Sequence, residues 1–131
     1  KDENLENEVK LLGQKKNPYI WMKNSDLFVH SSRYEGLPTV LIEAMILGKI
    51  LVSSACLTGP REILSNGESG LLFEVGDFEG CAEKMYTGLE DEEVKRKIKN
   101  NIKIRIKEFE AKNSVEKLDD VIDILSAKGI T

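Results

Sequence analysis

The chain has 131 residues, with 23 acidic against 19 basic side chains, a single histidine and two cysteines. That length makes one domain of common size, able to bury roughly two thirds of its unfolded surface in a single core. The mildly acidic, sign-mixed charge gives no support to nucleic-acid binding or a polybasic anchor. No apolar run approaches the ~20 residues a bilayer needs, and no signal-peptide core opens the sequence.

Cys56 and Cys81 are too few and too far apart for a disulfide framework, and with His30 alone beside them they do not make a zinc set. Two reduced thiols in a cytoplasmic protein are expected.

In chain order, Asp2 to Glu8 reads as the tail of a surface helix, and Val9-Lys10-Leu11-Leu12-Gly13 as a short buried strand ending at glycine. Pro18 to Met22 predicts a short helix with proline at its first position. Tyr19, Trp21 and Met22 are expected to pack it on the sheet. Asp26 to His30 is the next strand, Pro38 to Leu47 a helix stopped by Gly48, and Ile50 to Ser54 another strand. Gly59 to Leu64 starts a further helix, with Gly59 as N-cap, Pro60 at the first position and Glu62 at the third. Asn66-Gly67 marks a turn and Gly70 to Val75 a strand. These strands are short, nearly continuous apolar runs, the pattern of a parallel sheet covered on both faces. The alternation predicts an α/β fold: a Rossmann-like parallel sheet flanked by helices.

Beyond Asp77, a predicted N-cap, the chain reads as helical to its end, with terminal helices over about 91–128. Ala82, Met85 and Leu89 recur at helical spacing, as do Val94, Ile98, Ile102, Ile106 and Phe109, then Val115, Leu118, Ile122 and Leu125. The lysines and glutamates between them make the solvated face. Because the chain opens on a helix tail, residues 1–131 are read as one domain cut from a longer protein.

The stretch from Ser31 to Gly48 combines the exit of a strand, a loop with a carboxylate, and an apolar helix carrying a second carboxylate. Ligands of open parallel sheets collect outside the carboxyl ends of the strands, where this loop lies. No Ser, Thr, Asp or Asn caps the helix that starts at Gly36-Leu37-Pro38, so its first N–H groups offer an anion site of about half a positive charge. Glu35 and Glu43 supply acceptors suited to vicinal hydroxyls. Donors for phosphate and acceptors for a diol together fit a nucleotide sugar. Each residue also has a plainer reading: Glu43 as the partner of a lysine on a neighbouring helix, His30 as a packed or surface histidine, Glu62 as a helix cap.

The order Ser-Ser-Arg-Tyr-Glu-Gly-Leu-Pro-Thr-Val-Leu-Ile-Glu-Ala-Met from Ser31, then Gly-Pro-Arg-Glu-Ile from Gly59 and Asn-Gly-Glu-Ser-Gly-Leu-Leu-Phe from Asn66, resembles the C-terminal domain of retaining glycosyltransferases of family four. The resemblance runs from Leu12-Gly13 through Gly76-Asp77 and more loosely to the end. It implies the GT-B architecture, two Rossmann-like domains across a cleft, of which this chain is part of the C-terminal one. By the same resemblance Glu35 touches hydroxyls of the transferred sugar and is the catalytic candidate. Backbone N–H groups of Gly36, Leu37, Thr39 and Val40 would hold sugar and diphosphate, Glu43 the ribose, and Gly13 to Asn17, Gly13 and Gln14 foremost, would border the base.

The implied reaction is sugar transfer from a nucleoside diphosphate, UDP in first place, with retention of configuration and no metal cofactor. The acceptor, a glycan or a lipid-linked sugar of capsular or other surface-polysaccharide type, would be bound by an N-terminal domain. The Arg and Lys that such enzymes turn on the diphosphate belong to segments ahead of Leu12-Gly13, and Arg33, Lys49 and Arg61 do not match them. The chain is therefore expected to be inactive alone, and its parent cytoplasmic or peripheral at the inner membrane face. A sugar-nucleotide epimerase and a non-catalytic nucleotide-sugar module are the competing readings; the first would need acid–base residues beyond Glu35 and Glu43.

Overall fold

The computed structural model of the chain describes Leu5 and residues 7–110. In order these form α1 (Tyr19–Asn24), β1 (Leu27–His30), α2 (Thr39–Ile46), β2 (Ile50–Ser54), α3 (Pro60–Ile63), a 3-10 turn over Ser65–Gly67, β3 (Leu71–Phe73), α4 (Phe78–Glu90) and α5 (Glu92–Glu108). The strands make one parallel sheet in the order β1-β2-β3, with Leu27 opposite Ile50 and Val52 opposite Leu71. The α/β alternation expected from the sequence is thus the observed fold, its strands and helices trimmed by a residue or two at their ends.

All five residues of β2 are buried, so both faces of the central strand are covered. On one face α4 presses its backbone onto the sheet at Gly88, where an added Cβ would lie 2.8 Å from Leu27 Cδ1 and 3.1 Å from Ile50 Cγ2. On the other, Leu51 joins Leu41, Met45, Ile63, Leu64, Ile98 and Ile102 of α2, α3 and α5 in the core. Caps fix the helix starts: Asp77 Oδ1 accepts from Gly80 N, and Asp91 Oδ1 from Glu93 N and Val94 N. Arg105 of α5 donates to the carbonyls of Glu62 and Ile63 at the end of α3. Lys49 Nζ does the same for the end of α1, at Lys23 O and Ser25 O.

Four expectations are corrected. Residues Val9 to Gly13 form no strand: Leu11 is 97% exposed, because apolar density specifies burial but not the neighbour that a strand must pair with. Of the three residues expected to pack α1 on the sheet, Met22 is buried while Tyr19 and Trp21 are about half exposed, since a six-residue helix turns only one narrow stripe inward. Pro18 is the N-cap of α1 rather than its first residue, its carbonyl accepting from Trp21 N and Met22 N. In α4 the face turned to the sheet carries Lys84, Met85 and Gly88 instead of Ala82 and Leu89, both exposed. Close approach at a glycine outweighs the burial of one leucine. Val115, Leu118, Ile122 and Leu125 lie outside the described residues.

Candidate functional site

The carboxyl ends of the three strands open onto the loops 31–38, 55–59 and 74–77. The first carries the predicted site and is held from several sides. His30, the last residue of β1, pairs in register with Ser53 of β2, so the two side chains emerge on the same face of the sheet. His30 Nδ1 lies 3.2 Å from Ser53 Oγ and its Nε2 3.1 Å from Glu35 Oε1. Next along β2, the buried Ser54 hydroxyl donates to Ser32 O, while Thr58 Oγ1 donates to Glu35 O.

Glycine supplies the remaining contact. Gly59 has φ +85°, and a Cβ there would lie 2.3 Å from Gly36 O and 2.5 Å from Pro38 Cδ. The backbone of the second loop is therefore seated directly against the first, and Pro38 is buried beneath Gly36 and Leu37, which are exposed. Gly59 is the N-cap of α3 and Pro60 its first residue, as read from the sequence, whereas Glu62 stands in the first turn without a side-chain cap hydrogen bond among the described residues.

Of the predicted residues, Glu35 keeps 28% of its side chain exposed. Thr39 is exposed and Val40 half-buried in the first turn of α2, whose N-cap Pro38 gives no side-chain cap, as the sequence implied. Glu43 sits half-buried among the buried Leu41, Ala44 and Met45, and its carboxylate makes no hydrogen bond or ion pair with another described residue. The lysine pairing held open for it is not formed there. Gly13, at φ +61°, and Gln14 lie in an exposed segment with no hydrogen bond to the Glu35 loop among the described residues.

The other cations are engaged elsewhere: Lys49 as described, and Arg61 in a 3.1 Å ion pair with Glu74. Two recesses on this edge, of about 310 and 750 Å³, share Arg33 and Gly76 and are lined by neither Glu35 nor Glu43. Both carboxylates are partly open to solvent. Cys56 and Cys81 are both free thiols; burial, and then the nearby Asp77 carboxylate, push the Cys81 thiol above its usual pKa. No three His, Cys, Asp or Glu side chains converge as a metal set among the described residues.

The family Glycosyl transferases group 1 matches residues 1–105. The chain belongs to that family. This glycosyl transferase domain is 36% identical over 110 residues to the Campylobacter jejuni N-acetylgalactosamine-N,N'-diacetylbacillosaminyl-diphospho-undecaprenol 4-alpha-N-acetylgalactosaminyltransferase, a match covering 84% of this chain and 30% of that protein. It superposes on Anabaena HepE, solved in complex with UDP, with a TM-score of 0.79 and 28% identity over 93% of this chain and 34% of that one. A TarM variant from S. aureus, solved with Fondaparinux, alpha-GlcNAc-glycerol and UDP, gives a TM-score of 0.77 and 26% identity over 88% and 24%. The domain therefore spans about a third or less of the length of these relatives. Among its described residues no helix is long and apolar enough to cross a membrane.

Sequence reasoning passed over His30, Ser53, Thr58 and Gly59 as parts of one assembly. The legible signal was Ser53-Ser54 closing an otherwise apolar strand: hydroxyls buried at 0% and 1% need partners, and Ser53 finds His30 and Ser54 O while Ser54 finds Ser32 O at the head of the loop.

Proposed function

We propose that the chain is the donor-binding part of a retaining glycosyltransferase that moves a sugar from a UDP-linked donor to a glycan or lipid-linked acceptor. The observation that carries this reading is the Glu35 carboxylate, fixed from behind by His30 and partly open to solvent, beside a helix that has no side-chain cap and that bears Glu43, whose acceptors are unused among the described residues. In this reading Glu35 accepts hydrogen bonds from the transferred sugar and Glu43 from the ribose diol. The N–H groups of Gly36, Leu37, Thr39 and Val40 meet sugar and diphosphate, and residues 13–17 border the base.

Charge grows on the departing diphosphate during transfer, and a preset helix end stabilises it without reorganisation. The reading needs no resident metal. UDP in the structures of HepE and the TarM variant supports the choice of nucleotide. The site is open on this chain, so a second wall and the acceptor pocket are assigned to a further domain. The undecaprenol-linked acceptor in the name of the Campylobacter relative supports a cytoplasmic protein working at the inner membrane face.

The test is an amide NMR titration of the chain with UDP, UDP-N-acetylgalactosamine and GDP, repeated on Glu43→Ala. Saturable shifts in residues 36–43 and 13–17, stronger for UDP than GDP and weakened about tenfold or more in Glu43→Ala, are expected from the loss of charge-assisted hydrogen bonds. Shifts elsewhere, or binding indifferent to Glu43, would overturn it.

A further inference from the structure

Ser53, His30 and Glu35 stand in line, hydroxyl to imidazole to carboxylate, the residue types of a hydrolytic triad. The exposure runs the wrong way for one. Ser53 is wholly buried and no substrate reaches its oxygen, whereas Glu35 is the open end. The line therefore works outward from the core.

Proton counting fixes what it delivers. Ser53 has a single hydroxyl hydrogen and two neighbours, His30 Nδ1 at 3.2 Å and Ser54 O at 3.2 Å. If the hydroxyl donates to His30, Nδ1 is the acceptor and the ring hydrogen sits on Nε2. If it donates to Ser54 O, Nδ1 must carry a hydrogen to bond Ser53. Nε2 then also needs one, because a bare nitrogen 3.1 Å from an ionised carboxylate would set two acceptors against each other. Both arrangements put the hydrogen on Nε2, pointing at Glu35 Oε1.

We propose that His30 is the positioning residue for Glu35: it donates Nε2–H to Oε1, with Ser53 holding the ring, and so aims the carboxylate's remaining lone pairs at two hydroxyls of the donor sugar. The loop alone does not do this. Thr58 and Gly59 fix the backbone of Glu35 and Gly36, leaving the side-chain torsions of Glu35 to His30. A glutamate free to rotate loses entropy on each binding event, and one already aimed does not. The role of the carboxylate toward sugar rests on the donor-binding reading above; the His30–Glu35 bond does not.

His30 is the only histidine in the sequence, so its ring nitrogens give a single, unambiguous NMR spin system. Long-range proton–nitrogen correlation on the ligand-free chain is expected to show hydrogen on Nε2, and the Nε2 signal is expected to move in Glu35→Ala. A ring with hydrogen on Nδ1 alone, or one indifferent to Glu35→Ala, overturns the proposal.

The second arm compares His30→Gln, whose amide donates from near the Nε2 position, with His30→Leu, which cannot donate. Affinities are measured for UDP and for UDP-N-acetylgalactosamine, UDP-N-acetylglucosamine and UDP-glucose. UDP binding is expected to change less than about twofold in both variants. The gain that a sugar adds over UDP is expected to fall about tenfold in His30→Leu and to be largely kept in His30→Gln, the size of one hydrogen bond to a charged group. A structural role alone would weaken UDP and UDP-sugars together, and that result overturns positioning. If no sugar adds affinity in the parent chain, the sugar contact of Glu35 fails, while the ring spectrum still decides the His30–Glu35 bond.

Discussion

Residues 31–40 and residues 13–17 are both assigned to the donor site in the proposed reading, yet they are held in opposite ways. The first segment leaves β1 and is tied down by Ser54, Thr58, Gly59 and His30, each on a neighbouring element that the core already fixes. The second has Leu11 and Leu12 before it, at 97% and 38% exposure, and a glycine at φ +61° where an added Cβ would meet nothing within 4 Å. A binding motif can thus be complete in sequence while only the part resting on buried polar anchors is set in advance.

Substitutions sharpen this contrast. The largest effect is expected from Gly59→Ala, which combines a left-handed backbone with backbone and proline atoms inside contact distance; a loss of about 2–4 kcal/mol is expected by urea denaturation. Gly13→Ala has only the left-handed backbone cost, about 1 kcal/mol or less. Equal losses at the two glycines would show that the loops are not differently held.

Next comes Thr58→Val, which keeps the shape of the side chain and removes its hydrogen bond to Glu35 O. A loss of about 1 kcal/mol is expected, with amide shifts spreading from Glu35 to Leu37. Unmoved Glu35 and Gly36 amides would mean that the loop does not depend on Thr58.

The smallest effect concerns the recess bordered by Asp77 and Cys81. With its pKa raised, first by burial and then by Asp77, Cys81 holds less thiolate at a given pH than an ordinary cysteine. Slow alkylation by iodoacetamide at pH 8 is expected. Asp77→Asn keeps an oxygen to cap α4 but removes the charge, so alkylation should quicken modestly, as followed by mass spectrometry. No change would assign the whole shift to burial.

Most of the sheet was legible because Leu27 to His30, Ile50 to Ser54 and Leu71 to Phe73 are apolar runs bounded by glycine or polar residues, and each has a strand to pair with. Val9 to Leu12 has the same density without a strand partner among the described residues, which a local pattern does not report. The phase of α4 escapes a reading that infers burial from side-chain size. Gly88 has no side chain and sits deepest for that reason, letting the helix axis approach Leu27 and Ile50. At the site, Glu35, Glu43 and the uncapped α2 follow from residue type and spacing. Their support does not, because His30 reaches Ser53 across 23 positions and Thr58 reaches Glu35 across the same separation. Such pairings exist only once the parallel register is set.

That register has a consequence for how the chain finds its fold. In β2, Ser53 lies opposite His30 and Val52 points to the other face of the sheet, so sliding the strand forward by one residue would bring Val52 opposite His30. Val52 would then confront the imidazole, and His30 Nδ1 would lose the Ser53 hydroxyl. A polar group left unpaired in the interior costs about 1–3 kcal/mol, enough to depopulate the slipped pairing roughly tenfold or more. The serine that holds His30 therefore also proofreads strand alignment, and a variant that made β2 uniformly apolar would fold with less certainty about where its strands belong.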